Sequence, residues 1–277
     1  MTPRTLVIHT GGIGDLVCAL PALARIGQET RIAVAGIPAR AALAVAAGIA
    51  DTAFDLDATE IHTVFDTPSA RLRAFCASFD RAVVWMNDPD GAIARGLGAA
   101  EIPEVQCFPG IPPAGWHRHA ATWYAHCLGV DIALPFRCTF PAAACVPDII
   151  LHPGSGDPKK NWPLEHFGTI AERLRKAGHT VAWCLGPAEE DAPPLAPALP
   201  EMPLVDLAGV LSRARLFIGN DSGIGHLASL AGCPTLTIFG PTDPAVWRPF
   251  GAHAQILQGN PWPDVAAVWT KARAMLL

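Results

Sequence analysis

Thr10-Gly11-Gly12-Ile13-Gly14-Asp15-Leu16 stands between a strand-like run, Leu6-Val7-Ile8, and an apolar segment containing Leu20-Pro21-Ala22-Leu23. A buried strand, a glycine turn and a helix in that order make the repeating step of a parallel α/β sheet. Residues 4–10 therefore read as a strand and 14–27 as a helix. The alternation continues with a strand at 31–35, an Ala-rich helix at 38–48 and a buried strand at 81–86. Pro103, Pro109, Pro112 and Pro113 predict a loop over 101–115, followed by a helix at about 117–129.

The proline-flanked stretch 140–147 reads as a linker, after which the pattern restarts. Strands are expected at 149–151, 180–185, 216–218 and, last, 235–239, with helices at 164–177, 204–212, 222–231 and 264–277. A chain of 277 residues accommodates two domains. The fold class is α/β, two Rossmann-like doubly wound domains facing a cleft, with ligands beyond the carboxyl ends of the strands. The expected divisions are 1–146, 147–260 and a terminal helical segment, 261–277.

Composition excludes several classes. Hydrophobic residues make up 51% of the chain, yet no apolar run reaches the roughly 18 residues of a membrane span. The first ten residues lack the pattern of a signal peptide, so a cytoplasmic protein is expected. The net charge of -5 and the absence of a basic run argue against nucleic acid as a partner. Eight cysteines without a C-x-x-C pair read as reduced core residues, and neither a metal nor a cofactor is expected. All four lysines (159, 160, 176 and 271) fall in the second half, two of them adjacent.

Three glycine turns carry the candidate chemistry, because each follows a strand and opens a helix, where backbone N–H groups meet anions. The first holds Gly11, Gly12 and Gly14, with Asp15 either capping the helix or serving as a base. It nearly matches a dinucleotide fingerprint, but no acid follows the second strand near Ala35-Gly36 to hold a ribose. The second is His152-Pro153-Gly154-Ser155-Gly156-Asp157-Pro158-Lys159-Lys160-Asn161-Trp162-Pro163. Its backbone donors, the Ser155 hydroxyl and the Lys160 charge suit a diphosphate. The third is Gly219-Asn220-Asp221-Ser222-Gly223-Ile224-Gly225-His226, in which Asp221 or Ser222 caps a helix. Asp55-Leu56-Asp57 and Asp88-Pro89-Asp90 are Asp-x-Asp strings read as loop acids.

These segments, with Phe239-Gly240-Pro241-Thr242-Asp243-Pro244, resemble glycosyltransferase family 9, the heptosyltransferases of lipopolysaccharide core assembly. The resemblance implies a GT-B fold with an N-terminal acceptor lobe, a C-terminal donor lobe and a last helix crossing back. It implies an inverting, metal-independent transfer with Asp15 as general base. Gly154, Ser155, Lys160, Glu189, Asp221, Ser222, Gly223 and His226 would hold the donor, an ADP-heptose or similar nucleotide-sugar. The acceptor would be a glycan or lipid-linked saccharide, met on the side of Gly11, Gly12 and Gly14, with peripheral contact to the inner membrane. In a lobe without lysine, Arg71, Arg73, Arg95, Arg118 and His119 either meet its negative charge or stand as surface residues. A nicotinamide-dependent oxidoreductase and a non-catalytic nucleotide-binding GT-B protein are the alternatives.

Overall fold

Strand β1 (Arg4–His9) is buried at every position after Arg4, as a parallel strand covered on both faces requires. It lies at the centre of a sheet completed by β2 (Arg31–Gly36), β3 (Thr52–Asp55), β4 (Arg81–Trp85) and β5 (Glu104–Phe108), in the order β3-β2-β1-β4-β5. All four pairings are parallel. Between the strands run α1 (Ile13–Ile26), α2 (Pro38–Ala46), α3 (Ala70–Cys76) and α4 (Ala92–Ala99), and α5 (Ala120–Leu128) follows β5 and packs on α1. The computed structural model describes residues 2–186 and 197–277, and this first unit spans Met1–Ile132.

The second unit, Ala133–Leu277, repeats the plan. Its strands are β6 (Ile149–His152), β7 (Val181–Trp183), β8 (Leu216–Asn220), β9 (Thr235–Phe239) and β10 (Ala254–Gln258), all parallel in the order β10-β9-β8-β6-β7. Its helices are α6 (Leu164–Lys176), α7 (Leu204–Leu211), α8 (Gly223–Leu230), α9 (Pro244–Trp247) and α10 (Val265–Leu276). The core joins Ile149, Leu151, Ile218 and Ile238 of the sheet to Phe167 and Ile170 of α6 and Val268 of α10. Among the described residues no helix is long and apolar enough to cross a membrane.

The structure corrects four expectations. A strand, β5, lies inside the stretch read as a loop, because Pro103 and Pro109 bracket it and leave its ladder N–H groups in place. The strand at 235–239 is not the last, since β10 adds an edge beyond it. The division falls at Ile132 rather than at 146, because Cys138 N–H donates to Leu230 O at 2.9 Å and Phe140 is buried, which ties this stretch to the second unit. The terminal helix, set apart as a returning segment, packs through Val268 and Ala272 into the second unit's own core, against α6 and β8.

Two glycines of α4 show how tightly the first unit is packed. A Cβ at Gly96 would lie 2.2 Å from the carbonyl oxygen of Val64, whereas one at Gly98 meets nothing within 4 Å. Gly96→Ala is expected to cost about 1–3 kcal/mol by overpacking. Gly98→Ala is expected to add about 0.4–1 kcal/mol by stiffening the unfolded chain. Urea denaturation of the two variants checks the opposite signs.

Candidate functional site

In the second unit the strand order reverses between β6 and β8. The chain moves from β6 outward to β7 on one side, and from β8 to β9 and β10 on the other. Loops that leave the carboxyl ends of two such neighbours diverge and open a crevice. The loop after β6 carries Gly154, Ser155 and Lys160, and the loop after β8 carries Asp221 and Ser222. Asn220, the last residue of β8, is wholly buried and fastens the two. Its Oδ1 accepts from the Trp162 N–H at 3.0 Å and its Nδ2 donates to Pro153 O. The Trp162 indole is itself buried and donates from Nε1 to Pro263 O at 3.0 Å.

Lys160 Nζ comes within 3.3 Å of Asp221 Oδ2, the ammonium partly exposed and the carboxylate nearly buried. Next to Asp221, Ser222 caps α8 by accepting from Gly225 N–H at 3.2 Å. Gly223 opens that helix, and the buried His226 closes its first turn with its N–H on Ser222 O. The capping residue is thus Ser222, while Asp221 holds the lysine. Ser155 Oγ is engaged in its own loop, 2.6 Å from Asp157 O and 2.7 Å from Asn161 Oδ1. His152 Nδ1 lies 2.8 Å from Cys184 O, which ties the end of β6 to the chain leaving β7. Thr242, beyond β9, keeps a buried Oγ1 that has no hydrogen-bond partner among the described residues. Glu189 lies outside the described residues.

In the first unit the reversal falls between β1 and β4, and the glycine turn leaves β1. Asp15 reaches back so that Oδ2 accepts from Gly12 N–H at 2.7 Å. The turn does not wait for an external anion at that donor, because the chain's own carboxylate occupies it. Gly11 has to be glycine, since a Cβ there would stand 2.9 Å from His9 Cε1 and 3.0 Å from Asp15 Cβ. Gly12 and Gly14 continue the turn into α1. Arg40, from α2, donates to Gly11 O at 2.7 Å and brings a guanidinium to the same spot.

His9 lies below the turn, between Trp85 and Tyr124, with its Nε2 buried and, among the described residues, without a hydrogen-bond partner. Burial, reinforced by the Arg40 charge, pushes its imidazole down from 6.5 to about 4. Tyr124 donates to Gly110 O at 2.9 Å, and burial, then Asp15, raises its phenol well above the ordinary value. The second strand ends at Gly36 without an acid, as read from the sequence.

Of the Asp-x-Asp strings, Asp88 accepts from Ile93 N–H at 2.9 Å and Ala94 N–H at 3.0 Å, capping α4. Burial raises its carboxyl, but those two N–H groups, Cys107 and Arg95 together bring it below the usual range. Asp55 ends β3 and accepts from Asp57 N–H at 3.1 Å. Among the described residues no group of three His, Cys, Asp or Glu gathers as a metal would need. Arg95 donates to Asp90 O at 2.6 Å, Arg73 to Pro68 O, and His119 caps α5. Sequence reasoning did not select Asn220, His9 or Arg40 as site residues. Asn220 stood inside a quoted motif, whereas the roles of His9 and Arg40 depend on contacts between separate elements.

Residues 136–269 match the family model described as glycosyltransferase family 9 (heptosyltransferase). Lipopolysaccharide heptosyltransferase 1 of Pseudomonas aeruginosa is 35% identical over 112 residues, 38% of this chain and 31% of the relative. The aligned part spans under half the length of the curated relatives it matches. A family 9 glycosyl transferase from Veillonella parvula superimposes with a TM-score of 0.77 at 17% identity, over 99% of this chain and 97% of that one. The heptosyltransferase WaaC of E. coli, solved with ADP, gives 0.70 at 18% identity, over 98% and 99%. These likenesses place the fold in the GT-B class, two Rossmann-like α/β units.

The depressed imidazole of His9 makes the first unit acid-sensitive. The unfolded chain takes up a proton near pH 6.5 and the folded chain only near 4, so the contribution is fully present above 6.5 and lost as pH falls toward 4. His9→Phe, which cannot titrate, is expected to flatten the fall of the urea midpoint across that window. An unchanged slope would assign the acid sensitivity to other groups.

Proposed function

We propose, from the match of residues 136–269 to the glycosyltransferase family 9 model, that this chain is a member of that family and transfers a heptose or similar sugar from an ADP-linked donor. The acceptor is a cell-envelope glycan of the lipopolysaccharide type, and the anomeric centre inverts. One observation carries the reading. At the switch point of the second unit, a lysine, a capped helix N-terminus and a Gly/Ser loop converge on the residues after β6 and β8.

The chemistry follows from what those groups offer. Cleaving a nucleotide-sugar leaves negative charge on a diphosphate, and the rate rises with whatever stabilises that charge as it grows. Lys160 supplies a full positive charge, and the N-terminus of α8 supplies partial charge and N–H donors. Before donor arrives, Asp221 holds the ammonium at 3.3 Å, so the lysine is ordered where the diphosphate will meet it. Ser155, Gly154, Gly223 and His226 complete the donor side, and Thr242 adds a hydroxyl that has no hydrogen-bond partner among the described residues. With that charge in place the transfer needs no divalent ion.

On the first unit Asp15 takes the proton of the attacking hydroxyl as the new bond forms. Capping and catalysis are compatible, because the Gly12 N–H at Oδ2 orients the carboxylate, which stays half-exposed. Gly11, Gly12 and Gly14 keep the turn narrow enough for an acceptor to approach. The protein works in the cytoplasm and meets a lipid-linked acceptor peripherally at the inner membrane. A nicotinamide-dependent role is disfavoured, since β2 ends without a ribose-binding acid and the Gly12 N–H is already taken.

Asp15→Asn keeps the shape and removes the base. It is expected to lower kcat by about 10²–10⁴-fold, the range of a lost general base, with ADP affinity unchanged. Transfer from ADP-heptose, followed by mass spectrometry of the acceptor, measures the loss. Activity equal to the parent would leave Asp15 as a helix cap alone, the expectation for a non-catalytic GT-B protein.

A further inference from the structure

A cavity of about 320 Å³ opens in the second unit, away from the Lys160 site. Its lining includes Phe136 and Arg137, Ser229 and Cys233 at the end of α8, and Ala252 and His253. Cys233 and His253 stand just ahead of β9 and β10, so the cavity lies at the amino edge of the second sheet. The loops that carry Lys160 and Asp221 leave the carboxyl ends of β6 and β8, at the opposite edge. Along α8, Ser229 stands about 10 Å from the capping Ser222 at the helical rise.

Three contacts fix the walls. Cys138 N–H donates to Leu230 O at 2.9 Å and seats the stretch before it on the end of α8. Gly251 N–H donates to Ser229 Oγ at 2.7 Å, and a Cβ at Gly251 would lie 2.5 Å from that oxygen, so the chain entering β10 is pressed against the helix. The Phe136 ring meets Phe250 edge to face at 6.3 Å. A cavity with walls already in place costs an occupant little ordering, and this one is within the size range of small-molecule sites, roughly 300–1,000 Å³.

The lining says what such an occupant would be. Phe136, Ala252 and Cys233 offer apolar surface, and burial pushes the Cys233 thiol up to about 12, so it stays neutral. Arg137 brings a permanent charge, His253 a ring N–H, and the buried Ser229 a hydroxyl. No Asp or Glu lines the cavity, and among the described residues the Arg137 and His253 side chains make no hydrogen bond or ion pair. Cations beside a helix C-terminus commonly serve its last carbonyls. In α8 those are taken by backbone, Leu227 O by Ala231 N–H, Ala228 O by Cys233 N–H, Ser229 O by Gly232 N–H and Leu230 O by Cys138 N–H. The guanidinium is thus left to face the cavity, and its planar fork matches a carboxylate.

We propose that this cavity binds a small carboxylic acid with an apolar body, the carboxylate on Arg137 and the body against Phe136, Ala252 and Cys233. The site is separate from the one after β6 and β8 and does not depend on the reading of the chain as a glycosyltransferase.

Calorimetric titration of the full chain with octanoate, acetate and octanol tests the proposal on the parent, Arg137→Gln and Ala252→Phe. The parent is expected to bind one octanoate, and to bind acetate, which lacks the body, and octanol, which lacks the charge, about tenfold or more weakly. Arg137→Gln is expected to weaken octanoate about tenfold and to leave octanol unchanged. Ala252→Phe fills the cavity and is expected to abolish the binding of both. ADP affinity and melting temperature are expected to stay at parental values in the two variants, which separates loss of the site from loss of the fold. No octanoate binding by the parent, octanol bound as tightly as octanoate, or an octanoate affinity indifferent to both substitutions overturns the site. So does octanoate binding to the parent at many equivalent places, as a detergent coats a surface.

Discussion

One buried amide holds the second unit's chemistry together. Asn220 ends β8 with both halves of its side chain committed, the oxygen to Trp162 N–H and the nitrogen to Pro153 O. Each of those backbone groups belongs to the loop after β6, so a single side chain fixes the distance between two loops that would otherwise diverge. The bond network is buried, where an abandoned donor or acceptor costs about 1–3 kcal/mol. Lys160, two residues before Trp162, and Asp221, the residue after Asn220, come within 3.3 Å of each other as a consequence. The convergence of charge and helix N-terminus follows from this link.

The first unit solves a related problem differently. Its glycine turn is closed from within, by Asp15 on Gly12 N–H, His9 beneath Gly11 and Arg40 on the Gly11 carbonyl. An anion-binding helix end is here converted into a support for a carboxylate. His9 is kept neutral by burial and by the neighbouring guanidinium, so no second positive charge develops below the turn. One strand–turn–helix plan thus serves two ends. In one unit it brings a lysine to a capped helix N-terminus, and in the other it holds a carboxylate.

The alternation of strand and helix was legible because central parallel strands are apolar on both faces, as β1, β4, β8 and β9 are. The strands that escaped notice are edges. β3 and β10 are largely exposed or half-buried, and β5 hides between two prolines, so none shows the continuous apolar run that marks a central strand. At the site, residues standing in glycine turns could be selected, since a turn after a strand is a local signal. His9 and Arg40 could not, because their meeting at Gly11 brings α2 against the end of β1. The oppositely charged Lys160 and Asp221 were both selected, but their pairing across 61 positions has no local signature. The terminal helix shows the same limit, since its partner surface on α6 and β8 is decided by packing.

The central claim is that the second unit's switch point is built for a nucleoside diphosphate. Calorimetry with ADP and with adenosine, on the parent and on Lys160→Met, tests it most directly. The account predicts that the parent binds ADP more tightly than adenosine by about tenfold or more, on the order of 1.4 kcal/mol. That advantage should shrink in Lys160→Met while adenosine binding holds. Equal affinity for ADP and adenosine, or an ADP affinity indifferent to the loss of Lys160, would contradict it.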